Sequence, residues 1–328
     1  MSENFIVRAN WAWSEIRRHS DDEYRLGIGA ESADVGQVVL CDGEPLSEED
    51  LDPIFDFMAL VGQCYFVQKQ YLGFKELWKA LVTSLGLSAD GSFALVDGSL
   101  LTSSAKADAY VTAIASAGDL VLDAAEHYLE KNLGEEAAGF QRWNDLSRHL
   151  FDNDLGYALM CKLRNVTQHD KFMVNVVGVE NRTNRAYLVF NLEHDYETLR
   201  LGNGLRTALE GYRNARIKAG ELPRLSVYKA VEAYRQNVAV LYQAFIETID
   251  PIAGSKARGL PIEILSDKER CDCLIRTSRA ADREAEMREV MLLGGPDTVS
   301  DMGIMDDTRL RTLLEKRGAL SLWDGVAP

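Results

Sequence analysis

Apolar side chains recur at helical spacing over long stretches of this 328-residue chain, and that spacing constrains its fold more than any other feature. Such a period places apolar side chains on one face of an α-helix, where they can pack against other helices. The clearest stripe belongs to a long helix predicted over 105–132, and it comprises Tyr110, Ile114, Ala117, Val121, Ala124 and Tyr128. The chain is therefore predicted to be mainly α-helical.

Further helices are predicted from shorter stripes and from end signals. Asp52-Pro53 joins an N-cap residue to a proline suited to the first helical position, so a helix is predicted from there to about Tyr71. Asp250-Pro251 is predicted to end a helix over 226–249, because a residue before proline disfavours helical backbone. The other predicted helices are 140–150, one that begins near Asp152 or Asp154 and carries Leu155, Leu159 and Leu163, 196–218, 267–293 and 307–317.

Two regions have the composition of β-strands instead. Segments 172–179 and 185–192 are rich in Val, Phe, Tyr and Leu, and five polar residues separate them, which is the pattern of a β-hairpin. Residues 27–40 are also strand-like. The sequence thus predicts a helical bundle with a β-hairpin insertion and mixed terminal extensions.

Three segments are predicted along the chain. A mixed N-terminal segment covers 1–50, and a helical domain that contains the hairpin near 172–192 covers 51–250. The segment 251–328 is expected to be a charged, helical C-terminal extension. The first boundary lies within a strongly acidic stretch, since 42–56 contains seven acids and no base.

Cysteine usage and hydropathy indicate a soluble cytoplasmic protein. No apolar run approaches the roughly 20 residues that a membrane helix requires, so no membrane association is expected. The N-terminus lacks the basic and apolar blocks of a secretory signal. The five cysteines are scattered and form no disulfide framework, which is typical of a reducing compartment. Neither a cofactor nor a metal is predicted.

Charge is distributed unevenly. The formal net charge is −15, yet 200–235 contains eight bases and three acids and therefore carries +5. A strongly acidic protein repels phosphate over most of its surface, which argues against a general nucleic-acid coat protein. Two interpretations of the basic strip remain open: a solvated helical surface, or a local patch that guides RNA. Its candidate RNA-binding residues are Arg200, Arg206, Arg213, Arg216 and Lys218.

One short segment has a recognisable chemical signature. Leu163-Arg164-Asn165-Val166-Thr167-Gln168-His169 contains an arginine, a polar residue directly after it, and a histidine five positions on. This segment resembles the R-x4–6-H motif of the HEPN superfamily of helical ribonucleases, and the resemblance covers about 105–250. Arg142 and His149 also fit the loose spacing, but Trp143 occupies the position where the family has a polar residue.

The resemblance implies a HEPN-type helical bundle that acts as a metal-independent endoribonuclease. Arg164, Asn165 and His169 would be its catalytic residues. Such proteins commonly serve as toxins or in antiphage defence. The resemblance also implies an RNA substrate, a homodimer with both motifs in a shared cleft, and a regulatory protein as a further partner.

The residue types suit that chemistry independently of the family. A histidine with a pKa near neutrality can move protons to and from ribose oxygens, and an arginine can stabilise the charge of a phosphate. An ideal helix turns about 100° per residue, so Arg164 and His169 would point roughly 140° apart. Either the helix loosens before His169, or a second copy completes the site.

Three alternatives stand beside this interpretation. Arg164 can pair with an acid such as Asp154 or Asp170 while His169 caps the helix, in which case the motif is structural. His149, His169, Asp170 and Asp250 are candidate metal ligands of an HD-type phosphohydrolase, whereas Asp195 is poorly placed. A non-catalytic helical interaction or regulatory protein is the third alternative.

Overall fold

The computed structural model describes residues 5–7, 23–31, 38–95, 99–169, 175–180, 185–192, 203–260, 271–278, 287–292 and 299–324. Within these ranges the chain is mainly helical and forms eight α-helices, which confirms the predicted fold class at that level. Every helix in the described ranges is either too short or too polar to span a lipid bilayer.

The chain divides into two compact units, and each is assembled from separated parts of the sequence. The first comprises Met1–Lys69 and Ala244–Ile304, and the second comprises Gln70–Gln243 and Met305–Pro328. The division falls within helices α1 (Glu48–Leu85) and α6 (Val227–Arg258). The three segments expected from the sequence stay a prediction.

The first unit contains a five-stranded sheet with the order β1-β9-β8-β2-β3. The strands pair antiparallel except for β1 and β9, which are parallel. They are β1 (Phe5–Val7), β2 (Glu23–Glu31), β3 (Val38–Pro45), β8 (Cys271–Ser278) and β9 (Met287–Leu292). The strand-like region 27–40 therefore corresponds to parts of two paired strands, and 32–37 lies outside the described residues.

The helix predicted over 267–293 is wrong, because β8 and β9 occupy most of it. Both stretches contain residues such as Leu, Ile, Val and Thr that suit strands as well as helices. Pairing with a partner that is distant in sequence decides between the two, since β8 is hydrogen-bonded to β2 from Cys271 to Thr277. The helix predicted over 307–317 is confirmed as α7 (Asp307–Lys316).

The second unit holds most of the helices. Its elements are α2 (Leu100–Leu133), α3 (Ala138–Asn153), α4 (Leu155–His169), α5 (Asn203–Lys218), α7, α8 (Leu320–Asp324), and the strands β4 (Ser92–Ala94), β5 (Asn175–Glu180), β6 (Arg185–Asn191) and β7 (Arg224–Ser226). The four strands form one sheet around β6, and β5 pairs antiparallel with β6. The predicted hairpin is thus confirmed where it falls on described residues, as are the long helix and the helix near 140–150.

Local capping explains several of the helix ends. The Ser99 hydroxyl accepts a hydrogen bond from the Thr102 backbone N–H at 3.2 Å and begins α2. Gly134, with φ 87°, ends α2 as predicted, and its N–H donates to the Glu130 carbonyl. Asp154 accepts from the Tyr157 N–H at 3.0 Å, which confirms the predicted start of α4.

Two predictions based on proline are wrong. Helix α1 begins at Glu48 rather than at Asp52, because Ser47 accepts from the Asp50 N–H at 3.3 Å and caps the helix one turn earlier. Helix α6 continues through Pro251 to Arg258. Ile249 and Ala253 are buried on either side of the proline, so apolar burial outweighs the hydrogen bond that Pro251 cannot donate.

One buried tyrosine contacts three helices in the core of the second unit. The Tyr234 hydroxyl of α6 lies 3.0 Å from both the Ala115 carbonyl and the Asp119 carboxylate of α2. Its ring stacks against Tyr157 of α4, with 5.7 Å between ring centroids. Gly118 makes this approach sterically feasible, because a Cβ atom at that position would overlap the Tyr234 hydroxyl. Helices α2, α4 and α6 are therefore joined through one buried side chain.

Candidate functional site

Arg164, Asn165 and His169 all belong to α4, which stays helical as far as His169. Their side chains lie outside the described residues, so their places are given by the backbone. Because an uninterrupted helix turns about 100° per residue, Arg164 and His169 are offset by roughly 140° around its axis. The loosening of the helix before His169, one of the two expected ways to align the pair, does not occur.

The two ends of the motif fall on different faces of α4. By helical periodicity, the position of Arg164 shares a face with Tyr157 and Cys161. The position of His169 shares another face with Ala158 and Lys162. We call the first the Arg face and the second the His face. Their surroundings differ.

The Arg face is anchored in the interior of the second unit at Tyr157. Tyr157 is buried, and α4 packs against α2, which carries Asp119. Burial first and the nearby charge of Asp119 second raise the pKa of the Cys161 thiol to about 12. The raised pKa keeps the thiol protonated at neutral pH. Asp119 supplies a negative charge beside the same helical face that carries the position of Arg164.

The His face borders an open cleft of about 390 Å³. The cleft lies between the C-terminal end of α3 and the N-terminal ends of α4 and α5, and it is lined by Phe151, Asp152, Asn153, Leu155, Ala158, Gly204, Leu205 and Ala208. The Lys162 ammonium lies 5.3 Å from the centre of the Phe151 ring. A cation and an aromatic ring thus stand beside the cleft, on the face of α4 that leads to His169.

The predicted basic strip is only partly available for RNA. Arg216 pairs with Glu221 at 2.5 Å, and Arg235 makes two hydrogen bonds to Glu232 at 2.9 and 2.5 Å. Lys218 is exposed at the C-terminal end of α5.

Of the remaining candidate bases, two are half-buried and one lies outside the described residues. Arg206 and Arg213 are half-buried on α5, which packs against α4, and Arg200 lies outside the described residues. The cleft and the motif lie at opposite ends of α4. The cleft is lined by the N-terminal turns of α4 and α5, whereas the motif lies at the C-terminal end of α4 and Arg213 in the C-terminal half of α5.

The described ligand candidates of the metal-dependent alternative do not form a cluster. The His149 Nε2 donates to the Arg317 carbonyl at 2.9 Å, and its Nδ1 lies 3.3 Å from the Asn153 amide nitrogen. In the part of the chain that the structure describes, no group of three or more His, Cys, Asp or Glu side chains is placed to hold a metal. Asp170, Asp195 and the His169 side chain lie outside that part.

Two features of α4 and its surroundings were missed in the sequence. Lys162 is seven residues before His169, so a helical wheel drawn from Leu155 would have placed both on one face. The Asp154 carboxylate, which caps α4, also accepts a hydrogen bond from Asn237, and Asn237 accepts one from Arg317. No local pattern connects these three residues, because they are distant in sequence and meet only in the folded unit.

Comparison with known proteins gives no match of any kind: no family model, no curated protein and no solved structure matches this chain. The resemblance to the HEPN superfamily therefore stays a prediction that rests on residues 163–169 and on the helices around them.

Proposed function

We propose that this protein is a metal-independent endoribonuclease of HEPN type, in which Arg164, Asn165 and His169 act on an RNA phosphodiester. The observation that carries the proposal is the placement of an Arg-Asn pair and a histidine on the last turns of one continuous helix within a helical unit. The basic side chain of Lys162, on the face of α4 that carries the position of His169, supports it, because RNA needs a locally positive approach.

Each residue has a defined task in the proposed reaction. His169 takes the proton from a ribose 2′-hydroxyl, whose oxygen attacks the adjacent phosphorus, and a protonated imidazole returns a proton to the departing 5′-oxygen. Arg164 stabilises the additional negative charge that develops on the phosphate. Asn165 orients the phosphate or either side chain through its amide. The products are a 2′,3′-cyclic phosphate and a 5′-hydroxyl, and no metal takes part.

The offset between Arg164 and His169 supports a site made from two copies of the chain. In a single copy the two positions face directions roughly 140° apart, which is unfavourable for contacting one phosphate. In a symmetric dimer that pairs two α4 helices, Arg164 of one copy can approach His169 of the other. The homodimer is therefore part of the proposal.

RNA is proposed to reach this site along the His face and α5. Lys162, Arg206, Arg213 and Lys218 would contribute positive charge, whereas Arg216 contributes least because Glu221 neutralises it. A role in toxin–antitoxin or antiphage systems, with a regulatory partner and a cytoplasmic location, belongs to the same proposal.

The test compares RNA cleavage by the wild type, Arg164→Ala and His169→Ala in the presence of a chelator. Each variant is expected to lose roughly 100-fold or more in rate, because it removes charge stabilisation or proton transfer. Matched controls are Arg148→Ala and His127→Ala, which remove exposed residues of the same types from α3 and α2. Cleavage that disappears with chelator, or equal rates in all five proteins, would remove the proposal.

A further inference from the structure

The segment 305–324 docks on the second unit through apolar and polar contacts. Leu310, Leu314 and Trp323 are buried, and the Arg142 guanidinium of α3 lies 4.3 Å above the Trp323 ring. The Met305 N–H donates to the side chain of Gln243 at 3.1 Å. The segment is therefore an integral part of this unit, although it is distant in sequence from the helices that it contacts.

Arg317, just after α7, makes polar contacts with both its side chain and its backbone carbonyl. Its Nε donates to the Asn237 Oδ1 at 2.6 Å, and one Nη donates to the Gln236 Oε1 at 3.2 Å. The other Nη donates to the Leu313 carbonyl at 3.2 Å, which orients the guanidinium from its own helix. Asn237 is fully buried, so its amide has no access to water and depends on protein partners.

Asn237 is also hydrogen-bonded to Asp154, the residue that caps the first turn of α4. Its Nδ2 donates to one carboxylate oxygen of Asp154 at 3.1 Å, and the other oxygen of Asp154 accepts from the Tyr157 N–H at 3.0 Å. A guanidinium, a buried amide and a helix-capping carboxylate thus form one continuous hydrogen-bonded chain. We call Arg317, Asn237 and Asp154 the capping relay.

A second contact reaches the α3–α4 junction from the same residue. The Arg317 carbonyl accepts from His149 Nε2 at 2.9 Å, and the Asn153 amide at the end of α3 donates to the His149 carbonyl at 2.9 Å. Asp154 follows Asn153 directly. Side-chain and backbone atoms of Arg317 therefore hold both sides of the turn from which α4 starts.

We propose that Arg317 is a positioning residue for the proposed ribonuclease site, because the capping relay fixes the start of the helix whose last turns carry Arg164 and His169. This inference rests on the proposed function. Helix α4 is uninterrupted from Leu155 to His169, so a shift at its start is transmitted to its end. A displacement of about 1 Å at a catalytic group can cost on the order of 100-fold in rate.

Three variants distinguish an effect of the capping relay on the site from a general loss of stability. Arg317→Ala removes the first member. Asp154→Ser keeps an oxygen that can cap α4 but removes the second oxygen, to which Asn237 donates. The matched control is Arg311→Ala, which removes an exposed arginine of α7 that pairs with Asp307 at 2.7 Å. The measurements are kcat and KM for RNA cleavage and hydrogen exchange of the Tyr157 amide.

A positioning role predicts that Arg317→Ala and Asp154→Ser each lower kcat on the order of tenfold while KM stays within about twofold. The double variant is expected to lose no more than either single variant, because both cut the same chain. Tyr157 amide exchange is expected to be faster in Arg317→Ala, and Arg311→Ala should match the wild type in every measurement.

The failures are distinguishable. Unchanged kcat in Arg317→Ala, while Arg164→Ala abolishes cleavage, would overturn the positioning role and leave the proposed function standing. Losses that add in the double variant would also overturn it, since independent destabilisation is additive. A wild type that cuts no RNA would overturn both proposals. Should Arg317→Ala not fold, the kcat of Asp154→Ser tests the positioning role by itself: a roughly tenfold decrease supports it, and an unchanged kcat overturns it.

Discussion

The two faces of α4 have different surroundings in the second unit. On the Arg face, Tyr157 and Cys161 pack into an interior that Asp119 and Tyr234 tie together by hydrogen bonds. On the His face, Ala158 lines an open cleft, and the Lys162 ammonium lies 5.3 Å from the ring centre of Phe151, another residue of the lining. The buried contacts of Tyr157 determine where the first half of the helix lies, and the cleft beside Ala158 is open to a ligand. The motif has one residue on each face, and this offset is the reason why the proposal places a second copy of the chain at the site.

The largest effect is expected at the anchor of the Arg face. Gly118→Ala places a methyl group where the Tyr234 hydroxyl lies, and the Tyr234 ring is fully buried, so it cannot move aside into solvent. The overlap should lower the free energy of unfolding by about 2–3 kcal/mol, even though alanine favours helices more than glycine does. Chemical denaturation checks this value. The control is Gly211→Ala on α5, where a Cβ meets nothing within 4 Å and stability should not fall. Equal stability of both variants would contradict the anchored face.

A smaller loss is expected when the same contact is broken without overlap. Tyr234→Phe keeps the ring but removes the hydroxyl that bonds to Ala115 and Asp119. The free energy of unfolding should fall by about 1–2 kcal/mol, because the buried Ala115 carbonyl and the half-buried Asp119 carboxylate lose a donor. Denaturation measures it, with Tyr212→Phe on α5 as control, whose hydroxyl donates only a longer bond of 3.2 Å to Arg224. A larger loss in the control would reverse the comparison.

The smallest effect is expected on the His face. Lys162→Ala removes a half-buried ammonium and its contact with the Phe151 ring, so the free energy of unfolding should change by less than about 1 kcal/mol. If the proposed function holds, RNA cleavage by this variant should instead show a higher KM and a weaker dependence on salt, because the proposed phosphate contact of Lys162 is lost. A destabilisation as large as that of Gly118→Ala would show that this face is also structural.

Elements with local signals were predictable from the sequence. The start of α4 at Asp154 and the end of α2 at Gly134 follow from side chains and backbone preferences within a few residues. The strands β8 and β9 were not predictable, because their pairing with distant partners decides between helix and strand. Helix α6 passes Pro251 for a similar reason, since burial on both sides outweighs a local signal.

The candidate site shows the same division. The positions of Arg164, Asn165 and His169 on one helix follow from local periodicity, and so does the offset between them. The capping relay could not be read from the sequence, because Asp154, Asn237 and Arg317 come from three elements that only the fold brings together. The acid beside the Arg face, Asp119, is also supplied by another helix.

The central claim is that Arg164 and His169 from two copies of the chain act on one phosphodiester, and subunit complementation tests it most directly. Arg164→Ala and His169→Ala are each purified, confirmed inactive, then mixed and allowed to exchange subunits. In a mixed dimer, one of the two sites receives an intact arginine from one chain and an intact histidine from the other. The mixture should therefore regain about a quarter of the wild-type rate of RNA cleavage in chelator. A mixture of exchanging dimers that stays as inactive as its two components would contradict the claim.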